Sequence, residues 1–342
     1  MALVSLKTLL RHALHHGYAI PAFNVNFQEQ AQAVLDAAEQ VNSPVILQLS
    51  TGGLDYAAEW MVQGLIDHVR KSHLPICIHR DHAHALSDIS SAIKLGFSSV
   101  MMDGSLLPDG TPASLQHNIR VSQSAIKMAQ EKGVSVEGEV GCLGSLETNL
   151  ADLEDGSGAN RSLTRDEMLT CPKQAKTFIE QAPVDALAIA IGTSHGAYKF
   201  KKKPSSQTLC IERVKEIHHV LPAQSLVLHG CSSVPQSLLE QINRFGGEIP
   251  VTYGVPIESI QASIPYGVNK VNIDTDLRLA CTAAIRQNIH ECPSGFDPRQ
   301  YLSKAKKLMQ AICVERYIAF GSAEKAASIM RETHEADSTV FF

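Results

Sequence analysis

Apolar positions recur along the chain in two alternating rhythms. Short runs rich in Val and Ile, at 19–26, 44–50, 74–81, 98–104, 134–141, 186–192, 225–230 and 268–274, read as strands buried on both faces. Between them, 27–41, 56–72, 112–132, 172–181, 209–219 and 275–290 carry apolar residues at helical spacing. Strand followed by helix, repeated eight times, predicts an α/β fold with a parallel sheet. Eight units predict closure into a (β/α)8 TIM barrel over about 19–290. An open doubly wound sheet is the competing arrangement. No G-x-G-x-x-G follows the first strand, so the dinucleotide-binding form of that sheet loses its main support.

Two features decorate the repeat within a single domain over 1–342. Residues 142–166, after the fifth strand, form a long polar stretch rich in Gly, Asp and Asn, expected to be a functional lid. Residues 298–331 read as an appended C-terminal helical arm, for which packing against a second subunit is one use. Leu3, Leu6, Leu10 and Leu14 give the N-terminus amphipathic helical spacing, interrupted by Lys7, Arg11 and His12, so it does not read as a secretory signal.

Composition narrows the function. The 342 residues, 44% hydrophobic and 19% charged, suit a globular chain with a large core and exclude intrinsic disorder. A formal charge of -5 argues against bulk binding of nucleic acid or anionic membranes, while leaving room for a small phosphate pocket. No apolar run approaches the roughly 18 residues of a membrane span. The eight Cys are scattered without a C-x-x-C pair, as expected of a reduced, cytoplasmic protein. Fifteen His are the one oddity.

What ends each strand is informative. The ends carry Asn24 and Asn26, Ser50, Asp81-His82, Asp103, Glu139, Gly192 leading to His195, His229, and Asn272 with Asp274. In a closed barrel all of these lie on one face, where barrel active sites are built. Three imidazoles from different strands, His82, His195 and His229, are a common ligand set for catalytic zinc. Asp103 and Glu139 offer carboxylates to the same or a second ion. Turns at HGCSS (229–233) and NIDTD (272–276), with Gly196 and Lys199 in GTSHGAYK, suit phosphate.

Together AFNVN, the Asp81-His82 pair, GFSSVMMDGS, VEGEVGCLGS, GTSHGAYK, LHGCSSVP, YGVPIESIQ and KVNIDTDLRLA resemble the class II, metal-dependent fructose-bisphosphate aldolases, from residue 19 to about 325. The form is similar to the branch associated with glycolysis and the Calvin cycle. The resemblance implies that His82, His195 and His229 bind the catalytic zinc and that Asp103 and Glu139 hold a second divalent ion, with a monovalent cation as a further cofactor. It implies that Asp81 is the acid/base at the C4 hydroxyl and that Glu147 exchanges a proton on the dihydroxyacetone phosphate carbon. It assigns Gly196, Gly230, Cys231, Ser232, Asn272, Ile273, Asp274 and Thr275 to the dihydroxyacetone phosphate cradle, and Ser50 to the glyceraldehyde 3-phosphate part. It further implies phosphorylated-sugar substrates and a homodimer or homotetramer, with Arg316 of the arm a candidate to reach a neighbouring site.

Two departures stand out. Ala83-His84 replaces an expected Gly-Asn, which matters if Ala83 needs positive φ. Cys231 replaces Gly or Ser, which would expose the phosphate turn to oxidation or alkylation. Three other readings compete: a tagatose-bisphosphate aldolase with the same ligands, a Schiff-base aldolase using Lys270, and a non-catalytic metal-binding barrel.

Overall fold

The structure is a computed structural model that describes residues 2–144, 162–204 and 209–339, with side chains to residue 333. Its strands are β1 (Ile20–Asn24), β2 (Val45–Leu49), β3 (Ile76–Ala83), β4 (Ser99–Met102), β5 (Ser135–Val140), β6 (Ala186–Ile189), β7 (Leu226–Leu228) and β8 (Val268–Ile273). They pair in parallel in chain order, and β8 closes on β1, Ile20 facing Lys270 and Phe23 facing Ile273. Each runs within a few residues of its apolar segment, because a strand buried on both faces is written as a continuous apolar run.

The helices between them are α2 (Gln28–Val41), α3 (Thr51–Ala57), α4 (Glu59–Val69), α5 (Leu86–Leu95), α6 (Leu115–Gln130), α7 (Pro172–Gln181), α8 (Ile211–Val220), α9 (Gln236–Arg244) and α10 (Ile257–Ser263). Of these, α5, α9 and α10 fall outside the periodic segments read from sequence. They follow β1 to β7 and are preceded by α1 (Leu6–His16), while α11 (Thr275–Glu291), α12 (Pro298–Ala319) and α13 (Ala326–Thr339) end the described chain.

Strand parity separates two cores. Phe23, Leu47, Ile78, Val100, Leu187, Leu228 and Ile273 face outward into the layer shared with the helices. Ile20, Ala22, Ile46, Cys77, Ala186, Ala188 and Val227 fill the barrel interior with Leu6, Leu9, Leu10 and Ala13 of α1. Helix α1 therefore plugs the N-terminal end. Ser5 caps it by accepting the Thr8 N–H at 3.1 Å, and Gly17, at φ 68°, ends it in the left-handed region that favours glycine.

The C-terminal arm folds back onto its own barrel. Ala305, Met309, Ile312, Cys313 and Tyr317 are buried where α12 lies along α2 and α11, and Tyr317 meets Phe23 edge-on at 5.4 Å. Lys306 pairs with Asp36 of α2 at 2.9 Å. Arg316, one of the basic residues of the arm considered as candidates to reach a neighbouring site, is fully buried in its own chain, with Nη2 3.1 Å from Asp276 of α11.

Candidate active site

At the C-terminal mouth a cleft is lined by Asn24, Ser50, Asp81, His82, His195, Gly196, Lys199, Gly230, Ser232, Asn272, Asp274 and Thr275. These side chains come from six strand ends separated by as many as 251 positions, and only ring closure brings them together.

His82 stands where β3 departs from regular pairing. The β3–β4 register shifts between Arg80 and Ala83, and His82 takes φ 47°, a left-handed conformation uncommon for a non-glycine residue. The bulge re-aims the imidazole toward the mouth. Positive φ thus belongs to His82 and not to Ala83, which sits buried in the strand. The rings of His195 and His229 lie 5.0 Å and 4.7 Å from that of His82, centroid to centroid.

One nitrogen from each of these rings, and one ligand atom from each side chain within 4.8 Å of the others, defines a candidate metal centre. His82 Nε2 and His195 Nε2 are buried and have no hydrogen-bond partner among the described residues, and His229 Nδ1, also buried, faces Glu139 Oε2 at 3.5 Å. Leaving such nitrogens without a hydrogen bond is costly unless a cation takes their lone pairs. The second nitrogens are occupied where partners are resolved: His82 Nδ1 is 3.0 Å from Asp103 Oδ2, and His229 Nε2 is 2.9 Å from Glu137 Oε1. Carboxylates behind ligand imidazoles fix tautomer and ring direction.

Asp103 and Glu139 lie outside the cleft lining but cluster with His82. Asp103 also accepts from the Ser105 N–H and Oγ, at 3.1 Å and 2.6 Å. Burial pushes the Glu139 carboxyl up and the nearby Asp103 charge pushes it further, against the pull of His229 and His82. Its Oε2 faces His229 Nδ1 at 3.5 Å. Two carboxylates this close are relieved by a cation.

Burial alone would raise the Asp81 carboxyl, but His82, Lys270, His229 and His79 outweigh it and hold the group well below the usual carboxylate range. Three amides also favour the ionised form. Asn24 Nδ2 and Gln48 Nε2 donate to Oδ2 at 3.0 Å and 3.1 Å, and Asn272 Nδ2 donates to Oδ1 at 3.3 Å.

The turns that follow β7 and β8 are tied together. Asp274 N–H donates to Ser232 Oγ at 3.1 Å. Gly230 has φ 62°, and a Cβ there would meet Ser194 O of the turn after β6 at 2.4 Å, so a side chain would push the β7 turn off the β6 turn. Asp276 accepts the Ser233 and Val234 N–H groups at 3.1 Å and 2.8 Å, and Arg316 Nη2 donates to Ser233 Oγ at 2.7 Å. This bracing holds Val234 at φ 49°, which a β-branched residue rarely adopts. The arm thus serves the site from behind.

Two residues expected in the cradle turn their side chains away. Cys231 and Ile273 are fully buried in the outer core, so only their backbones face the mouth. Burial also pushes the Cys231 thiol up to about 12, which makes it a poor nucleophile and removes the expected sensitivity to alkylation. Lys199 is buried, donates to Ser194 O and lines the cleft. Ser50 caps α3, accepting the Gly53 N–H at 3.1 Å. Glu147 lies outside the described residues, as does most of the 142–166 stretch.

Of a polar layer beneath the ligands, the sequence reading named only Lys270. Glu137 is fully buried, with Oε2 2.9 Å from Lys270 Nζ and 3.5 Å from His79 Nε2, while His79 Nδ1 lies 2.8 Å from Ser99 Oγ. The available signal was parity: Glu137 with Glu139, His79 with Asp81, and Lys270 with Asn272 are two apart on one strand and share a face. His84, not assigned a role, stacks on His82 at 6.4 Å between centroids.

Comparison with known proteins bears on the same site. The profile of the family described as fructose-bisphosphate aldolase class-II matches residues 4–325. A fructose-bisphosphate aldolase of Pseudomonas aeruginosa is 53% identical over 332 residues, covering 96% of this chain and 94% of that protein. A fructose-bisphosphate aldolase class 2 of Synechocystis is 50% identical over 336 residues, covering 97% and 94%. Among solved structures, the YdjI aldolase from Escherichia coli K12 superposes with a TM-score of 0.73 at 26% identity, covering 95% of this chain and 99% of that one.

Proposed function

The chain belongs to the class II fructose-bisphosphate aldolase family, and we propose that its cleft cleaves fructose 1,6-bisphosphate reversibly into dihydroxyacetone phosphate and glyceraldehyde 3-phosphate, with zinc held by His82, His195 and His229. One observation carries this reading: three imidazoles converge, two of them with partnerless buried nitrogens, beside the buried, ionised Asp81. Zinc bound there supplies a Lewis acid toward the ketone oxygen, worth several kcal/mol.

The remaining steps fall to the chain's own residues. Asp81 takes the C4 hydroxyl proton in cleavage and returns it in condensation. Its three amide donors keep the carboxylate in one place and orientation. Gly196, Lys199, Gly230, Ser232, Asn272, Asp274 and Thr275, with the backbone of Cys231 and Ile273, anchor the dihydroxyacetone phosphate end. The N-terminus of α11 at Thr275 adds the positive end of a helix dipole, suited to phosphate. Ser50 contacts the other end, so binding energy from both phosphates is spent on positioning. Glu147 is the residue that exchanges the proton on the three-carbon fragment, and Asp103 with Glu139 holds a second divalent ion, accompanied by a monovalent cation.

The Schiff-base alternative fits less well, because Lys270 is fully buried against Glu137 and does not line the cleft. We place the enzyme in glycolysis or the Calvin cycle, in a reducing cytoplasm that suits cysteines held as thiols. The homodimer or homotetramer reading is supported by apolar side chains left on the surface, Phe296 at 92% exposure and Ile318 at 59% among them.

Cleavage of fructose 1,6-bisphosphate, measured before and after EDTA with zinc add-back, tests the mechanism. The expected result is loss and recovery of activity; full activity after complete metal removal overturns it. A clear preference for tagatose 1,6-bisphosphate overturns the substrate assignment.

A further inference from the structure

We propose that His12, His16 and Glu332 form a separate zinc-class metal site at the base of the barrel, fastening α13 to α1. Positions 12 and 16 are one turn apart on α1 and share a face; their ring centroids are 4.1 Å apart. From α13, Glu332 Oε1 lies 3.2 Å from His16 Nε2 and 3.5 Å from His12 Nε2. One donor atom from each of the three residues falls within 4.8 Å of the others. A tetrahedral ion with bonds of about 2.0–2.1 Å spaces its donors by roughly 3.3–3.4 Å. Two of the three spacings are already close to that value.

His12 supplies the independent observation. Its side chain is 3% exposed, its Nδ1 lies 2.8 Å from Tyr18 Oη, and its Nε2 points into the cluster with no hydrogen-bond partner among the described residues. A buried nitrogen left in this way costs about 1–3 kcal/mol. Bonding to a metal would remove that cost, with Tyr18 as the outer partner that fixes the ring. Burial moves His12 down from the usual imidazole range, with His16, Lys325 and His15 acting in the same direction and Glu332 against. The neutral ring is the form that ligates. Two imidazoles and a carboxylate are a borderline donor set, suited to zinc. His16 and Glu332, with side chains 38% and 55% exposed, leave a fourth position to water and a path for entry.

The place argues for a fastener and not a reaction centre. Ile329, one turn from Glu332 on α13, is fully buried in the interior core with Leu6, Leu9 and Tyr18, at the end opposite the cleft. Metal here would hold the chain's last described helix against the plug that seals the barrel. The test is therefore separable from catalysis.

The chelator-treated full-length protein is titrated with Co2+ by visible absorption and with Zn2+ by calorimetry, as wild type and as His16→Ala, Glu332→Gln and Tyr18→Phe. The expected wild type shows a binding class beyond those of the cleft. His16→Ala and Glu332→Gln weaken that class more than about 100-fold, and Tyr18→Phe weakens it about 10–100-fold, as loss of an outer partner does. All three keep wild-type cleavage of fructose 1,6-bisphosphate, and the first two show a smaller zinc-induced rise in Tm. Equal stoichiometry and affinity in the wild type and in both ligand variants overturns the proposal and leaves a His16–Glu332 ion pair.

Discussion

The two ends of one barrel are made of opposite materials. At the base, Leu6, Leu9, Leu10 and Ala13 fill the opening against Ile20, Ile46, Cys77 and Val227. At the mouth, strands of the same barrel end in Asp81, His82, His229 and Asn272, with bare nitrogens, a bulge and His82 at positive φ. Apolar packing at the base stabilises without specifying any chemistry. Buried charge at the mouth is costly to fold and is retained where a bound cation and an anionic substrate use it. The comparison separates stability from function along the barrel axis, and substitutions can test whether that separation is real.

The largest effect is expected at the mouth. Chelation, or His82→Ala, should abolish cleavage while the thermal melt still shows a cooperative transition; gross unfolding in circular dichroism would make His82 structural. Next, Asp81→Asn should lower kcat by about 10²–10⁴-fold, the usual contribution of a positioned acid/base. Steady-state kinetics with matched metal content would check it, and a near-normal kcat would remove Asp81 from proton transfer.

Arg316→Gln probes a residue that belongs to both regions. It leaves Asp276 buried without its cation, a change that costs about 3–5 kcal/mol, and it loosens the turn at 230–234. Denaturant melts should record the destabilisation. Kinetics should show KM for the bisphosphate rising more than kcat falls, with Arg316→Lys partly restoring KM. At the base, Leu9→Ala should cost about 2–5 kcal/mol, as core truncations do, with kcat unchanged at temperatures where the protein is folded. A large loss of kcat there would break the separation. The smallest effect is at Cys231: iodoacetamide should fail to label it in the native protein, as mass spectrometry of the tryptic peptide would show.

Much of this contrast was legible in the chain. Continuous apolar runs reported strands buried on both faces, and the polar residues closing them reported which end would carry chemistry. His82, His195 and His229 could be paired with Asp81 because each follows its own strand. Other features were not legible. Glu137, Lys270 and His79 sit inside apolar strands, and their mutual pairing exists only once β3, β5 and β8 face across the interior. Cys231 and Ile273 lie next to cradle residues, yet strand parity sends their side chains to the outer core. Helices α5, α9 and α10 run to only 10, 9 and 7 residues, and tertiary packing completes them.

The sequence by itself determined the βα repeat, the closed parallel barrel and the family, because hydrophobic period and strand-end chemistry are local patterns. Tertiary structure alone decided which nitrogen of each histidine is bare, that the bulge puts positive φ at His82 and not Ala83, and that Arg316 braces its own phosphate turn. It also brought His12 and His16 to Glu332, more than 300 positions away. These are matters of a few ångströms between residues distant in the chain, and only the packed core fixes distances of that kind.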